Sequence, residues 1–275
     1  MTQGYLRAWE KDERLWVFDR ERKKSFLSQA KSVANETELY SRDLEKELAK
    51  ELDGPAVAVL RKFGEGKAPL SEEERELVAR FLFVQWKRTP RAKERVLRRM
   101  PAAEREAEQE MMARIDLAAA QNPEFGLRAE EFRAKALEVF RTRTDEHRTE
   151  IWRQLVMQTT GPRVHDTIKS MNWVLVRAPD EMLLTCDNPM YFHEHEGLGR
   201  EQSELTFPLS PSTALWATRE PIANGSILNE SAYMAREVNR RTAKNSARWV
   251  FFSEPKDWVE PFLKKGQWQL NRIRQ

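Results

Sequence analysis

The sequence predicts an α+β protein, because helical periodicity and strand-like runs occupy different parts of the chain instead of alternating. Three observations carry that reading. A hairpin-like segment rich in strand formers stands near the start, over residues 14–26. Apolar residues then return at intervals of three and four between about 42 and 160. Beyond Asn172 the period changes to short β-branched and aromatic runs, as far as about 253. The expected architecture is a mixed or antiparallel sheet built by the N-terminal hairpin and the C-terminal strands. The helices form a long excursion between them, all within a single domain over 1–275.

Taken in order, RLWVFDRERKKSF (14–26) places strand formers at 15–18, a charged turn at 19–24 and a return strand from Ser25. A two-stranded hairpin is marginal alone, so residues 15–18 are expected to share a sheet with residues 249–252. DLEKELAKEL (43–52) sets Leu44, Leu48 and Leu52 four apart, and Gly54-Pro55 breaks that stripe before AVAVLRKF opens another helix. Ser71 followed by Glu74 is a capping box, and the helix behind it buries Leu77, Val78, Phe81 and Leu82, with Trp86 extending the face. Thr89-Pro90 reads as an N-cap and first-turn proline, marking a kink or a new helix. Residues 129–159 predict one more helix of roughly 45 Å, with a weak polar middle, RTRTDEHR, and Gly161-Pro162 as its stop. Strands are then expected at 172–176, 182–185, 205–207, 213–217 and 248–252, interrupted by one helix over 230–246. The tail from 254 carries Trp258, Phe262 and Trp268, which are expected to pack back onto the body.

Composition narrows the class. Of 275 residues, 40% are hydrophobic and 33% charged, the pattern of a globular protein with a highly charged surface. No apolar stretch approaches the roughly 20 residues of a membrane span. The first residues, MTQGYLRAWEKDERL, lack the apolar core of a secretory signal, so the expected compartment is the cytoplasm. Cys186 is the single cysteine, which excludes an internal disulfide and a cysteine-based zinc site. A net charge of +3 does not by itself imply nucleic acid.

Five segments, LWVFDRERKKSF, FVQWKRTPRAKE, LLTCDNPM, LTFPLSP and EVNRRTAKNSARWVFFS, stand in an order and spacing that resemble the bacterial and fungal family 4238 of domains of unknown function. The resemblance covers nearly the whole chain and implies its fold; the family name implies no reaction. Such proteins usually carry Ser where Cys186 stands, and a His-His-Tyr-Val-Pro-type segment just before a Tyr-Leu pair. Tyr5-Leu6 is present here and the histidines are not.

Candidate chemistry gathers at two places. Thr185-Cys186-Asp187-Asn188-Pro189 ends an apolar run in a proline-locked turn. Asp187 and Asn188 are candidate catalytic residues there, Asp187 as base or metal ligand, against the ordinary reading of an Asx turn. Around Thr89-Pro90, Arg88 and Arg91 flank a predicted helix N-terminus, where positive charge is disfavoured unless an anion compensates it. Gln85, Arg88, Thr89, Arg91 and Ser210 are therefore expected to form, with Asp187 and Asn188, a polar pocket accepting a small anion. Alternatively a protein carboxylate pairs with Arg88, Asp187 being one candidate. Hydrolysis or transfer at a phosphate- or carboxyl-bearing substrate is the reaction class that fits, if there is catalysis. The second function class is non-catalytic binding of nucleic acid or a partner by the basic face over 87–99, with no stacking aromatics interleaved. Cys186 with His193 or His195 as nucleophile and base, or His193 and His195 as metal ligands, are weaker patterns; no third metal ligand is evident from spacing, and the sequence names no cofactor.

Overall fold

A computed structural model describes residues 2–34, 46–66, 69–161, 163–178, 182–193, 197–229 and 232–273. Leu44, Pro162 and His195, which carried sequence expectations, lie outside the described residues. The class is α+β, as expected.

After a short helix α1 (Gln3–Leu6) comes the predicted hairpin, β1 (Leu15–Asp19) and β2 (Lys24–Ser28). Its turn is set by Asp19, whose Oδ1 accepts the N–H groups of Glu21 and Arg22. Helix α2 (Ala30–Ala34) follows, then a π-helical turn (Ala49–Asp53) leading into α3 (Gly54–Gly64). Helix α4 (Glu72–Lys87) begins on the predicted capping box: Ser71 Oγ accepts the Glu74 N–H while Glu74 accepts the Ser71 N–H.

Helices α5 (Pro90–Gln121), α6 (Pro123–Gly126), α7 (Ala129–Arg141) and α8 (Asp145–Met157) make a compact unit of their own, Pro90–Met157. The helix expected over 129–159 is two helices. Thr142 turns its hydroxyl back onto the Glu138 carbonyl at the end of α7, and Thr144 Oγ1 accepts the His147 N–H at the start of α8. Side chains that bond their own backbone stop a helix, and the weak polar middle supplies two of them.

The rest of the chain, Met1–Thr89 with Gln158–Gln275, forms the second unit. Its remaining elements are α9 (Val164–Ser170), β3 (Asn172–Arg177), β4 (Thr185–Cys186), β5 (Tyr191–Phe192), β6 (Glu204–Ser210), β7 (Thr213–Thr218), β8 (Ile227–Asn229), α10 (Ala232–Asn245), β9 (Trp249–Phe252) and α11 (Val259–Lys264). The hairpin and the last strand do share a sheet: β1 lies antiparallel to β9, with Trp16 opposite Phe252 and Phe18 opposite Val250. The strands divide between two sheets, however, where one was expected. One has the order β2-β1-β9-β4; the other has the order β5-β6-β7-β3-β8, with β3 and β8 parallel.

Helix α10 supplies apolar residues to both. Met234, Ala235 and Val238 pack with Val174, Val176, Ala214 and Trp216 of the second sheet. Ala243, further along the helix, packs with Phe18, Cys186, Val250 and Phe252 of the first. One helix thus serves two cores with different faces, which allows the strands to divide between two sheets that both pack on it. No helix among the described residues is long and apolar enough to cross a membrane.

Candidate functional site

Asp187 occupies the turn after β4 and faces the start of β9. Its carboxylate accepts the backbone N–H groups of Ala247 (2.7 Å), Arg248 (2.6 Å) and Trp249 (2.9 Å). Burial raises its pKa, against the three N–H donors, which lower it. Asn188 beside it is buried, and Asn245 Nδ2 at the end of α10 donates to the carbonyls of Asn188 (2.7 Å) and Met190 (2.8 Å). The Asp-Asn turn therefore clamps β4 to the segment that joins α10 and β9. Cys186 is fully buried in the apolar cluster of the first sheet.

Arg88 pairs with Asp53, and Asp187, the carboxylate suggested by the sequence, is not its partner. Both terminal nitrogens of Arg88 reach the Asp53 carboxylate, at 2.8 Å, 3.0 Å and 3.1 Å, and both residues are buried. Arg88 sits at the C-terminal end of α4, its N–H on the Val84 carbonyl, where a positive charge is favoured by the helix dipole. Thr89 Oγ1 likewise bonds back to the Trp86 carbonyl. A new helix does begin at Pro90, with Arg91 exposed in its first turn; Arg88 caps the end of the helix before it, and Thr89 stands between the two. Gln85 is buried on α4, and its Nε2 has no hydrogen-bond partner among the described residues.

Ser210, at the turn between β6 and β7, shares a hydrogen bond with Thr213 Oγ1 (2.7 Å) and borders a small hollow of about 250 Å³ with Tyr5, Leu60 and Leu209. The candidate residues thus have separate partner sets: Arg88 with Asp53, Asp187 with the entry to β9, Ser210 with its own turn.

A second constellation, not foreseen as a unit, lies where α10, β6 and the C-terminal tail meet. Arg241 is fully buried and donates from Nη2 to Glu204 Oε1 (2.5 Å) and to the Asn271 carbonyl (2.5 Å). Its Nε donates to Glu237 Oε1 (3.3 Å), one turn earlier on α10. Glu204 also accepts the indole N–H of Trp216 (3.0 Å) and the backbone N–H of Ile273 (3.3 Å). His193 Nε2 lies 3.7 Å from Glu204 Oε1, and its Nδ1 shares a hydrogen bond with the Tyr191 hydroxyl (3.1 Å). Burial by itself would raise the Glu204 carboxyl, but His193 and Arg241 outweigh it and bring the pKa down to about 2.

The tail is held against α10 by these carboxylates. Glu237 Oε1 accepts the Asn271 N–H at 2.9 Å, and Glu204 holds Ile273, so the chain over 265–271 is fixed at its far end. At its near end Val259 and Leu263 of α11 are buried in the apolar cluster of the first sheet. Between them lies a cleft of about 540 Å³. One wall is α10, presenting Arg236 and Arg240 one turn apart; the other is the tail, presenting Lys265 and the rings of Trp258, Phe262 and Trp268. Arg240 is steadied from below by Glu237 Oε2 (3.3 Å), whereas Arg236 and Lys265 make no ion pair with any described residue. Gln267, Gln269 and Asn271 add side-chain amides, and Asn239 at the floor is occupied with the backbone of Met182 and Leu184. No carboxylate, imidazole or thiol is among the described lining residues.

Sequence reasoning singled out His193 and the three tail aromatics, but as a metal pattern and as packing. The one local signal for the network was Glu237 with Arg241 at helical i,i+4 spacing. Among the described residues no cluster of three or more His, Cys, Asp or Glu side chains is disposed to hold a metal.

The sequence matches the family described as "Protein of unknown function (DUF4238)" over residues 2–256. No curated protein and no solved structure matches. The matched region includes α10 with Arg236 and Arg240, and it ends just before the aromatic wall of the cleft.

Proposed function

Because the chain belongs to the DUF4238 family, whose description names no reaction, we propose from the site alone that it binds a small anion, a phosphate- or carboxylate-bearing molecule, in the cleft between α10 and the tail. The observation that carries this is the charge of the lining. Arg236, Arg240 and Lys265 line it together, and of the three only Arg240 has a carboxylate partner, Glu237, among the described residues. Like charges held together on a folded surface repel, and an anion with several oxygens relieves that repulsion through charge-assisted hydrogen bonds. Among the described lining residues there is no carboxylate, imidazole or thiol to move a proton, so the site supports binding better than hydrolysis or transfer.

The alternative, nucleic-acid or partner binding by the basic face over 87–99, has less support because several of its cations already have intramolecular partners. Arg88 is paired with Asp53, Lys87 lies 4.1 Å above the Phe83 ring and bonds the Gln158 carbonyl, and Lys93 lies 5.2 Å above the Trp152 ring. Burial also lowers the Lys87 ammonium to about 8, which weakens it as a phosphate contact.

Thermal melts test the cleft. Inorganic phosphate and citrate, added separately to the parent and to a variant carrying Arg236→Ala with Arg240→Ala, are expected to raise the parent's melting temperature progressively with concentration. The variant is expected to lose most of that rise. An equal rise in both proteins would mean that the anions act elsewhere or through the solvent, and would overturn the proposal.

A further inference from the structure

The cleft carries more than charge, and resting on the anion-binding reading above, we infer that its ligand is a phosphorylated nucleoside. A flat ring is the first requirement that the tail imposes. Trp258, Phe262 and Trp268 stand on one wall with ring centroids 5.8 Å and 5.7 Å apart and planes at 68° and 53°. Because these rings meet edge to face or tilted, they do not cover one another's faces by stacking. Trp258 remains 38% exposed, and an aromatic face of that kind on a cleft wall is a platform for another ring. Arg20 lies 5.8 Å from the Trp268 ring centroid and is tied through Nη1 to the Ser246 carbonyl at 2.6 Å, which steadies that ring.

The second requirement is an edge that both donates and accepts. Gln267, Gln269 and Asn271 line the cleft with side-chain amides, the group that pairs bidentately with the edge of a base. The third is a negative charge at the opposite wall, met by Arg236 and Arg240. A cleft of about 540 Å³ falls within the usual range for small-molecule sites and has room for base, ribose and phosphate together. A sugar phosphate would leave the rings unused, and an aromatic carboxylate would leave most of the amides unused. The assignment places the base against Trp258 and Trp268 and the phosphate on the two arginines.

The same chemistry comes from two sources, a free nucleotide or the end of a single strand of nucleic acid. The aromatic wall stands beyond the region matched to the family, which stops at residue 256. The rings that would hold the base and the arginines that would hold the phosphate thus come from different elements, the tail and α10.

Isothermal titration of the full chain tests the inference with four nucleoside monophosphates (adenine, guanine, cytosine and uracil), the four nucleosides, ribose 5-phosphate and a five-nucleotide single strand. At least one monophosphate is expected to bind tenfold or more tighter than both its nucleoside and ribose 5-phosphate. Trp258→Ala should reduce that monophosphate to the level of ribose 5-phosphate, and Arg236→Ala with Arg240→Ala should reduce it to the level of the nucleoside. Trp268→Phe, which keeps a ring in the wall, should cost less than Trp258→Ala and guards against a variant that merely fails to fold. A five-nucleotide strand that binds tighter than any monophosphate, with a steep salt dependence, assigns the site to a strand end; otherwise it belongs to the free nucleotide. If ribose 5-phosphate binds as tightly as every monophosphate, the nucleotide assignment fails while the anion site stands. If no phosphate compound binds, both fail.

Discussion

Arg88 illustrates how a residue's meaning depends on which helix end it occupies. Placed before Thr89-Pro90, it reads as a cation at a helix N-terminus, where it requires an external anion. Placed at the end of α4, it sits where the dipole favours it, and its charge is met by Asp53 from the turn before α3. Removing one member of a buried pair leaves the other charged and unpaired. Arg88→Ala is expected to destabilise the protein by roughly 3–5 kcal/mol, and Asp53→Ala in the same background should return part of that loss. Asp187→Ala added to Arg88→Ala should simply sum with it, since Asp187 holds the entry to β9. Equilibrium unfolding in denaturant of the single and double variants checks this. Rescue by the Asp187 change, with none by the Asp53 change, would sink the assignment.

At the scale of elements, α10 does most of the organising. Its apolar residues complete two cores, Asn239 and Asn245 hold the chain on either side of β4, and Glu237 and Arg241 bind the tail. The joint between α10, β6 and the tail is ionic, so it has a predictable dependence on pH. Glu204 is held at about 2, below its ordinary value of 4.5. A carboxylate depressed by folding adds stability that is fully present above the ordinary value and is lost as the pH falls toward the folded one. About 3 kcal/mol should disappear between roughly pH 4.5 and pH 2, by the usual conversion of pKa shifts. Glu204→Gln, less stable at neutral pH, should show a flatter loss of stability across that interval in acid titrations followed by circular dichroism. A variant with the parent's slope would show that Glu204 is not the group that titrates.

For the molecule as a whole, the two units differ in how they are made. The unit holding both sheets buries most of the large aromatic core, including Trp9, Trp173, Trp216, Phe207 and Phe251. Pro90–Met157 buries little by comparison, chiefly Met100, Ile115, Trp152 and Val156, while Leu117, Leu127 and Val139 are exposed. Its helices rely more on surface ion pairs such as Arg148 with Glu104 and Arg133 with Asp116, which are worth about 1 kcal/mol or less each. Native-state hydrogen exchange should therefore find amides of α5, α7 and α8 opening at lower free energy than those of β1, β3, β7 and β9. Equal protection across both sets would mean that the chain unfolds as one cooperative body.

What the sequence by itself determined was local. The capping box at Ser71, the hairpin over 14–26, the proline-started helix at 90 and the pairing of the hairpin with the last strand all follow from short-range chemistry, or from the inability of a hairpin to bury its own aromatics. At Asp187-Asn188 only the turn itself was legible, since the Asp187 carboxylate bonds the backbone of Ala247, Arg248 and Trp249 far along the chain and not the neighbouring backbone of an Asx turn. Only the tertiary structure decided which charges meet. Asp53 and Arg88 are separated by two helices and the loop between them, and Glu204, Arg241 and Asn271 come from a strand, a helix and the tail. No periodicity links such residues, since a buried ion pair is set by where backbones cross and leaves no spacing in the chain. The cleft belongs to the same class: its arginines are read from one helix and its rings from the tail after β9, and the walls meet because Val259 and Leu263 pack into the first core while Asn271 and Ile273 dock on two buried carboxylates.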